Sequence, residues 1–360
     1  MEYLFVFLFS IILANCAQNY IDKNKKIGVF YLSLSLLLPC ILAAVRNTNI
    51  GIDVEYYVLP YYEEAVQSRT LGNYFSDCVD EKKDLFFALL AWLGKFADGP
   101  WAFMFIIQLM ISLPLYIAIY VYRRSIKYWA ALSFFYLIFF NTGLCVMRQL
   151  VSASLLICAY SFLKRKNYLI VVLFVTLSIL THHSAMLIAL IVFVIYYLCE
   201  SKGVSGIHII LAAILGVYFF SEVSEYFIQK ALIDEIYVER AVVREDEASL
   251  SVKALIYFAI VFLMPFIFIK ELHFRIINLI AIIGYLFLFL GMYSSYFGRI
   301  GLSFQLFGII SVPYALLHVP KKIRSIANIC FISLSLFYWY VAVVEQSGWG
   351  TYPFEFYKFK

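Results

Sequence analysis

Three arginines, a pair of histidines and a loop with two carboxylates are the groups in this chain best equipped for chemistry. Arg46 opens a stretch running to Tyr57. Within twelve positions it supplies a guanidinium, a flexible Gly51, the carboxylates Asp53 and Glu55, and the phenols Tyr56 and Tyr57. Arg148-Gln149 begins an apolar run, His182-His183-Ser184 separates two, and Arg299 follows the tyrosine-rich stretch Tyr293 to Gly298. A guanidinium pairs with phosphate oxygens in a bidentate fork, so these arginines suit a pyrophosphate. An arginine at the end of an apolar helix also serves as an anchor among lipid head groups, and both readings stand for each of the three. A carboxylate such as Asp53, or a histidine such as His182, can take the proton of a sugar hydroxyl. A histidine at a helix junction also caps carbonyls. Tyr56, Tyr57, Tyr293 and Tyr296 offer faces on which sugars stack, or simply an aromatic belt at an interface.

The elements that must position these groups are membrane helices. The chain is 64% hydrophobic and 14% charged, with a mean hydropathy of +0.88. A soluble domain of this length has no means of hiding so much apolar surface. The apolar stretches lack the alternation of a β-barrel, so the spans are helical and the fold class is all-α. Met1 to Ala17 has no basic leader and reads as a first span rather than a cleavable signal. Twelve spans fall at roughly 3–19, 27–45, 101–122, 128–143, 148–163, 168–181, 184–199, 207–221, 253–269, 276–291, 303–319 and 325–344. They make one transmembrane domain, 1–360.

Charge orients the array. Every second connection is short and basic, and together these hold 15 Lys/Arg against Asp22, Glu200 and Glu271. The remaining connections carry 13 Lys/Arg and 20 acids. The positive-inside rule puts the basic loops in the cytoplasm and both termini and the long loops outside. Arg46 with Asp53, Arg148-Gln149, His182-His183 and Arg299 then share the outer rim. Arg148 and Arg299 lack an acidic neighbour in sequence and need a partner from elsewhere.

Two outer loops are long. The first, 46–100, contains Leu85 to Phe96, which is apolar but too short to span and reads as a re-entrant or interfacial helix. The second, 222–252, has Val223, Phe227, Ala231, Leu232 and Ile236 at helical spacing, which predicts an amphipathic helix. The seven cysteines show no paired spacing, so neither disulfides nor a zinc site is indicated. Asp53-Val54-Glu55 is too common a pattern to carry a metal. No GxGxxG, P-loop or GxSxG stands in a suitable context. No cofactor and no nucleic acid partner is expected.

Four motifs in order carry a family resemblance. R-x-x-x-x-G-x-D-x-x-x-Y matches Arg46, Gly51, Asp53 and Tyr57; R-Q matches Arg148-Gln149; H-x-S-A matches His182, Ser184 and Ala185; a late R-I matches Arg299-Ile300. The chain resembles the EpsG-like branch of the Wzy polysaccharide polymerases. It departs at Glu81 to Asp84, where the family usually has Glu-Pro before the short outer helix, and the role of Glu81 stays open. The resemblance implies a GT-C-like glycosyltransferase in a bacterial inner membrane, with its active site facing the periplasm or exterior. It would join oligosaccharide repeat units carried on undecaprenyl pyrophosphate, both donor and acceptor being lipid-linked, without a metal. Arg46, Arg148 and Arg299 would hold pyrophosphate, and Asp53, with His182 second, would be the general base. Gln149 and the four tyrosines would contact substrate. Membrane lipids and a protein that sets chain length are further partners.

An O-antigen ligase would use the same donor, and a flippase would handle the same lipid. The flippase predicts charges deep in the spans and repetition between halves. The span interiors are nearly free of charge, which favours a rim-site enzyme. A topology reporter active only outside the cytoplasm should be active when fused after Asp80 and silent after Lys166. The opposite pattern would overturn the topology.

Overall fold

Apolar runs that stop at capping or basic residues fold as helices throughout the described chain. The computed structural model describes residues 2–81, 83–215, 267–290, 295–346 and 350–358. It is 80% helix, with no strand among the described residues. The chain divides into two compact units, Met1–Met186 with Ile332–Lys360, and Leu187–Phe331.

In the first unit, α1 (Glu2–Tyr20) and α2 (Lys25–Ala44) form a hairpin. Asn24 stops the turn between them by accepting from the Ile27 N–H at the start of α2. After the loop from Arg46 come a π-helical turn, Val54–Val58, then α3 (Leu59–Gln67), α4 (Leu71–Asp80) and α5 (Leu85–Gly94). Next follow α6 (Trp101–Val121), α7 (Tyr128–Phe134), a second π turn at Phe135–Phe139, α8 (Phe140–Gly143), α9 (Met147–Leu163) and α10 (Tyr168–Thr181). Helix α9 packs between α6 and α10. Every residue from Gln149 to Ser161 is buried, as a central helix requires.

Polar groups inside such a bundle must satisfy one another, because lipid offers no partners. Ser10, Ser35, Tyr116 and Tyr136 do so. Ser10 and Ser35 each donate to the other's carbonyl at 2.7 Å, and their hydroxyls meet the two tyrosine hydroxyls at 2.7–3.3 Å. This network ties α1, α2, α6 and the second π turn. Ser178 likewise donates to the Ser152 carbonyl, joining α10 to α9.

The C-terminal tail folds back on the loop after α2. Asn47 N–H donates to the Glu355 carbonyl at 2.8 Å and Tyr357 N–H to the Val45 carbonyl at 2.7 Å, with an isolated antiparallel bridge at Arg46 and Phe356 between them. Tyr3 donates to the Thr351 carbonyl, and Asn141 links Thr351 to Trp339.

The second unit begins within α11 (Ala185–Lys202). It also contains helices Gly206–Leu215, Leu272–Leu290, Ser295–Gln305 and Gly308–His318, and the first part of Lys321–Trp339. Gly284 and Gly301 let two of these approach backbone to backbone: a Cβ on Gly301 would lie 2.5 Å from the Gly284 carbonyl oxygen.

The protein is a polytopic helical membrane protein. Each apolar segment read from the sequence is helical where described, although most of 253–269 and part of 207–221 lie outside the described residues. So does the whole 222–252 loop. Among the described residues five helices are long and apolar enough to cross alone, or six if Phe297–Gln305 and Gly308–His318, bent by 46°, count as one broken span. Two of the expected spans, α9 and α10, have 17 and 14 residues, against the roughly 20 of a perpendicular span.

Gly51 shows why the loop needs glycine. Its φ is +94°, and a Cβ there would sit 2.3 Å from the Leu144 carbonyl oxygen. Gly51→Ala should lose at least about 1–2 kcal/mol from backbone conformation alone and lower the melting temperature in detergent. Gly72→Ala, on α4 with no heavy atom within 4 Å of the new methyl, should be neutral or slightly stabilising. Equal effects would contradict this packing.

Candidate functional site

A carboxylate that no motif includes organises the site. Asp84 stands immediately before α5 and is 4% exposed. A buried carboxylate must be paired; two elements supply its partners and a third takes the Asp84 backbone N–H. Arg148, in the first turn of α9, donates from Nη1 to Asp84 Oδ2 at 2.6 Å. His183, just after α10, places Nδ1 3.1 Å from Asp84 Oδ1. The Asp84 N–H donates to the Tyr61 hydroxyl of α3 at 3.1 Å. Burial, and then the Asp84 charge, push the Tyr61 phenol up to about 12, so it stays a neutral hydrogen-bonding group.

These side chains line a cleft of about 350 Å³ together with Tyr56, Tyr57, Pro60, Lys83 and His182. The π turn presents Tyr57 to Arg148, whose guanidinium carbon lies 3.6 Å from the ring centroid. Arg148 Nε is buried without a hydrogen-bond partner in the described structure, so one arm of the fork is uncommitted. Lys83 is held by Glu64 at 2.5 Å and Glu81 at 2.6 Å. Burial alone would lower its pKa, but those hydrogen bonds outweigh burial and keep it above the ordinary lysine value. The cleft therefore offers two cations, a carboxylate, two imidazoles and several phenols. That set suits an anionic, hydroxyl-bearing ligand. Among the described residues no group of three or more His, Cys, Asp or Glu is arranged to hold a metal ion.

The residues expected from sequence separate into groups. Arg148, Tyr56, Tyr57 and His182 all line the cleft. Asp53 does not; it precedes the π turn, half-buried. Gln149, its neighbour Arg148 being in the cleft, is turned inward and buried. Arg46 lies outside the cleft and is 1% exposed. It donates to the carbonyls of Ala43 at 2.8 Å and Ile50 at 3.3 Å, and reaches Met147 Sδ at 3.5 Å. Burial lowers its pKa to about 10, which leaves it charged at neutral pH. Its donors close the loop onto the residue preceding Arg148. Arg299 is exposed in helix Ser295–Gln305 of the second unit. Tyr296 begins that same helix, and Tyr293 lies outside the described residues.

Sequence reasoning missed Asp84, Tyr61 and Lys83, and placed His183 on the rim without a role of its own. A signal for Asp84 existed: it is the acid abutting an apolar run too short to span, where Arg148 had no acidic neighbour of its own. His183 sits beside His182, and only the chain direction at the end of α10 separates the two.

Fold and cleft define a helical membrane protein with a cationic, aromatic-lined site carried by its short helices and connections. The chain belongs to the EpsG family, whose model matches residues 29–357. Membership points to a general role in polysaccharide polymerisation. No curated protein and no solved structure matches the chain.

Removing Asp84 leaves Arg148 charged, largely buried and unpaired. Asp84→Ala should cost about 3 kcal/mol, measured as a fall in the unfolding midpoint in detergent, and Asp53→Ala should cost less. The reverse ranking would contradict the pairing.

Proposed function

We propose that this protein is a GT-C-like glycosyltransferase with twelve spans. It would lengthen a polysaccharide by joining undecaprenyl-pyrophosphate-linked repeat units at the outer face of a bacterial inner membrane. The observation that carries the reading is Arg148: a guanidinium stacked on Tyr57, held through one nitrogen by Asp84, with Nε uncommitted, in a cleft that also holds histidine.

In the reaction an acceptor hydroxyl oxygen bonds to the anomeric carbon of the donor chain, and that carbon's bond to the pyrophosphate oxygen breaks. Negative charge develops on the departing pyrophosphate. A guanidinium fixed before the reaction stabilises that charge without reorganisation, and it takes the place a divalent metal fills elsewhere. Arg148 has this role. Arg46 is not given it, because its donors serve carbonyls.

The acceptor proton needs a base. His183 places Nδ1 3.1 Å from Asp84 Oδ1, so Nε2 is the ring nitrogen away from that carboxylate and the one assigned to accept the proton. His183 is 79% exposed, so the ring is accessible to an acceptor sugar. We therefore assign the base to His183 oriented by Asp84, in place of Asp53, with His182 as its neighbour in the cleft. Tyr56, 66% exposed at the rim, is available to stack on a sugar face.

The test is transfer by purified protein in nanodiscs with synthetic lipid-linked repeat units and EDTA present. A ladder of lengthening products is expected. Arg148→Lys, which keeps the charge but loses the planar fork, should cut kcat by about 10²–10³-fold at normal protein level. Wild-type turnover in that variant would remove Arg148 from the mechanism. Saturable lipid binding without any ladder would favour a ligase or flippase.

A further inference from the structure

We propose that Lys83 is a second phosphate-binding cation, which leaves Glu64 and Glu81 for the diphosphate when the lipid-linked substrate enters. This rests on the reading of the Arg148 cleft as a diphosphate site. A diphosphate joining lipid to sugar carries a negative charge on each phosphorus, whereas the Arg148 charge is already opposed by Asp84. Another cation facing the same space is needed for balance, and Lys83 lines that space.

Its root is fixed. The Lys83 N–H donates to the Cys78 carbonyl at 2.8 Å, and the next residue is Asp84, held by Arg148, His183 and Tyr61. Its tip is not fixed in the same way, since four flexible carbons separate backbone from ammonium. The two glutamates that hold the tip are 41% and 60% exposed. Ion pairs to such exposed carboxylates are weak, while a lysine–phosphate contact in a partly buried cleft is charge-assisted and stronger. The exchange therefore runs downhill. The glutamates left behind also line a neighbouring cleft of about 410 Å³ that contains Arg69, a cation available to them.

A ligand-exchange role and a purely structural ion pair differ in sign. If Lys83 binds phosphate, Lys83→Gln weakens binding and the double variant Glu64→Gln/Glu81→Gln, which frees Lys83, tightens it. If the bridge only holds the loop, both variants shift binding the same way. The probe is a water-soluble short-chain prenyl diphosphate titrated onto purified full-length protein, with the matching prenyl alcohol as control. Lys83→Gln should bind the diphosphate about ten- to a hundredfold more weakly, Lys83→Arg should stay close to wild type, and the double glutamine variant should bind more tightly. Melting temperatures identify any variant that fails to fold, in which case Lys83→Arg and the double variant still decide the matter. Unchanged or stronger binding by folded Lys83→Gln would overturn the assignment. Arg148→Gln separates the two claims: if it too binds like wild type, the diphosphate reading of the whole cleft fails. If it alone weakens binding, only Lys83 is excluded.

Discussion

The Asp84 carboxylate is the constraint on which the site depends. It is almost fully buried at the start of a helix too short to cross a membrane. A charge in that position is tolerated only if partners converge on it. Those partners come from α9 and from the end of α10, while Tyr61 of α3 accepts from the Asp84 backbone N–H. Pairing therefore does two things at once. It ties the start of α5 to the central helix, and it fixes a guanidinium and an imidazole on one wall of a cleft. The electrostatic requirement of one acid thus becomes the geometry of a site.

A second layer keeps the connections around the cleft in place. The loop from Arg46 to Tyr57 must turn sharply and still deliver Tyr57 to Arg148. Gly51 makes the turn, with its left-handed backbone lying against Leu144. Arg46 closes the loop with a buried guanidinium that uses carbonyl dipoles and a thioether rather than a carboxylate. The C-terminal tail adds backbone hydrogen bonds on the other side of the same loop. Deeper in the unit, the serine–tyrosine network gives α1, α2 and α6 polar contacts that lipid does not supply. A rigid scaffold under a site built on loops is what preorganised charge stabilisation requires.

The helices were legible in the sequence because hydrophobic runs and basic loops follow directly from the energetics of a bilayer. The short helix from Leu85 was legible for the same reason, since its length alone excluded a span. Arg148 and Tyr57 were legible because an arginine without an acidic neighbour, and tyrosines beside a polar loop, are unusual enough to notice. Asp84 was not, because the pairing that gives it meaning joins positions 64 residues apart, and no local pattern encodes such a contact. Arg46 was legible only as a rim arginine, for a related reason. A guanidinium placed for phosphate and one donating to carbonyl oxygens have the same sequence signature, and only the fold shows Arg46 buried on the Ala43 and Ile50 carbonyls. Whether His182 or His183 meets a carboxylate likewise depends on where α10 ends.

The most direct test of the account is a cryo-EM structure of the full-length protein in nanodiscs with a non-hydrolysable undecaprenyl diphosphate analogue. The diphosphate should lie in the Asp84 cleft, with Arg148 nitrogens at charge-assisted hydrogen-bond distance, about 2.7–2.9 Å, from a phosphate oxygen. Arg46 should remain buried on its carbonyls. Density for the diphosphate on Arg46, or anywhere outside the cleft formed by Arg148, Tyr57 and His183, would contradict it.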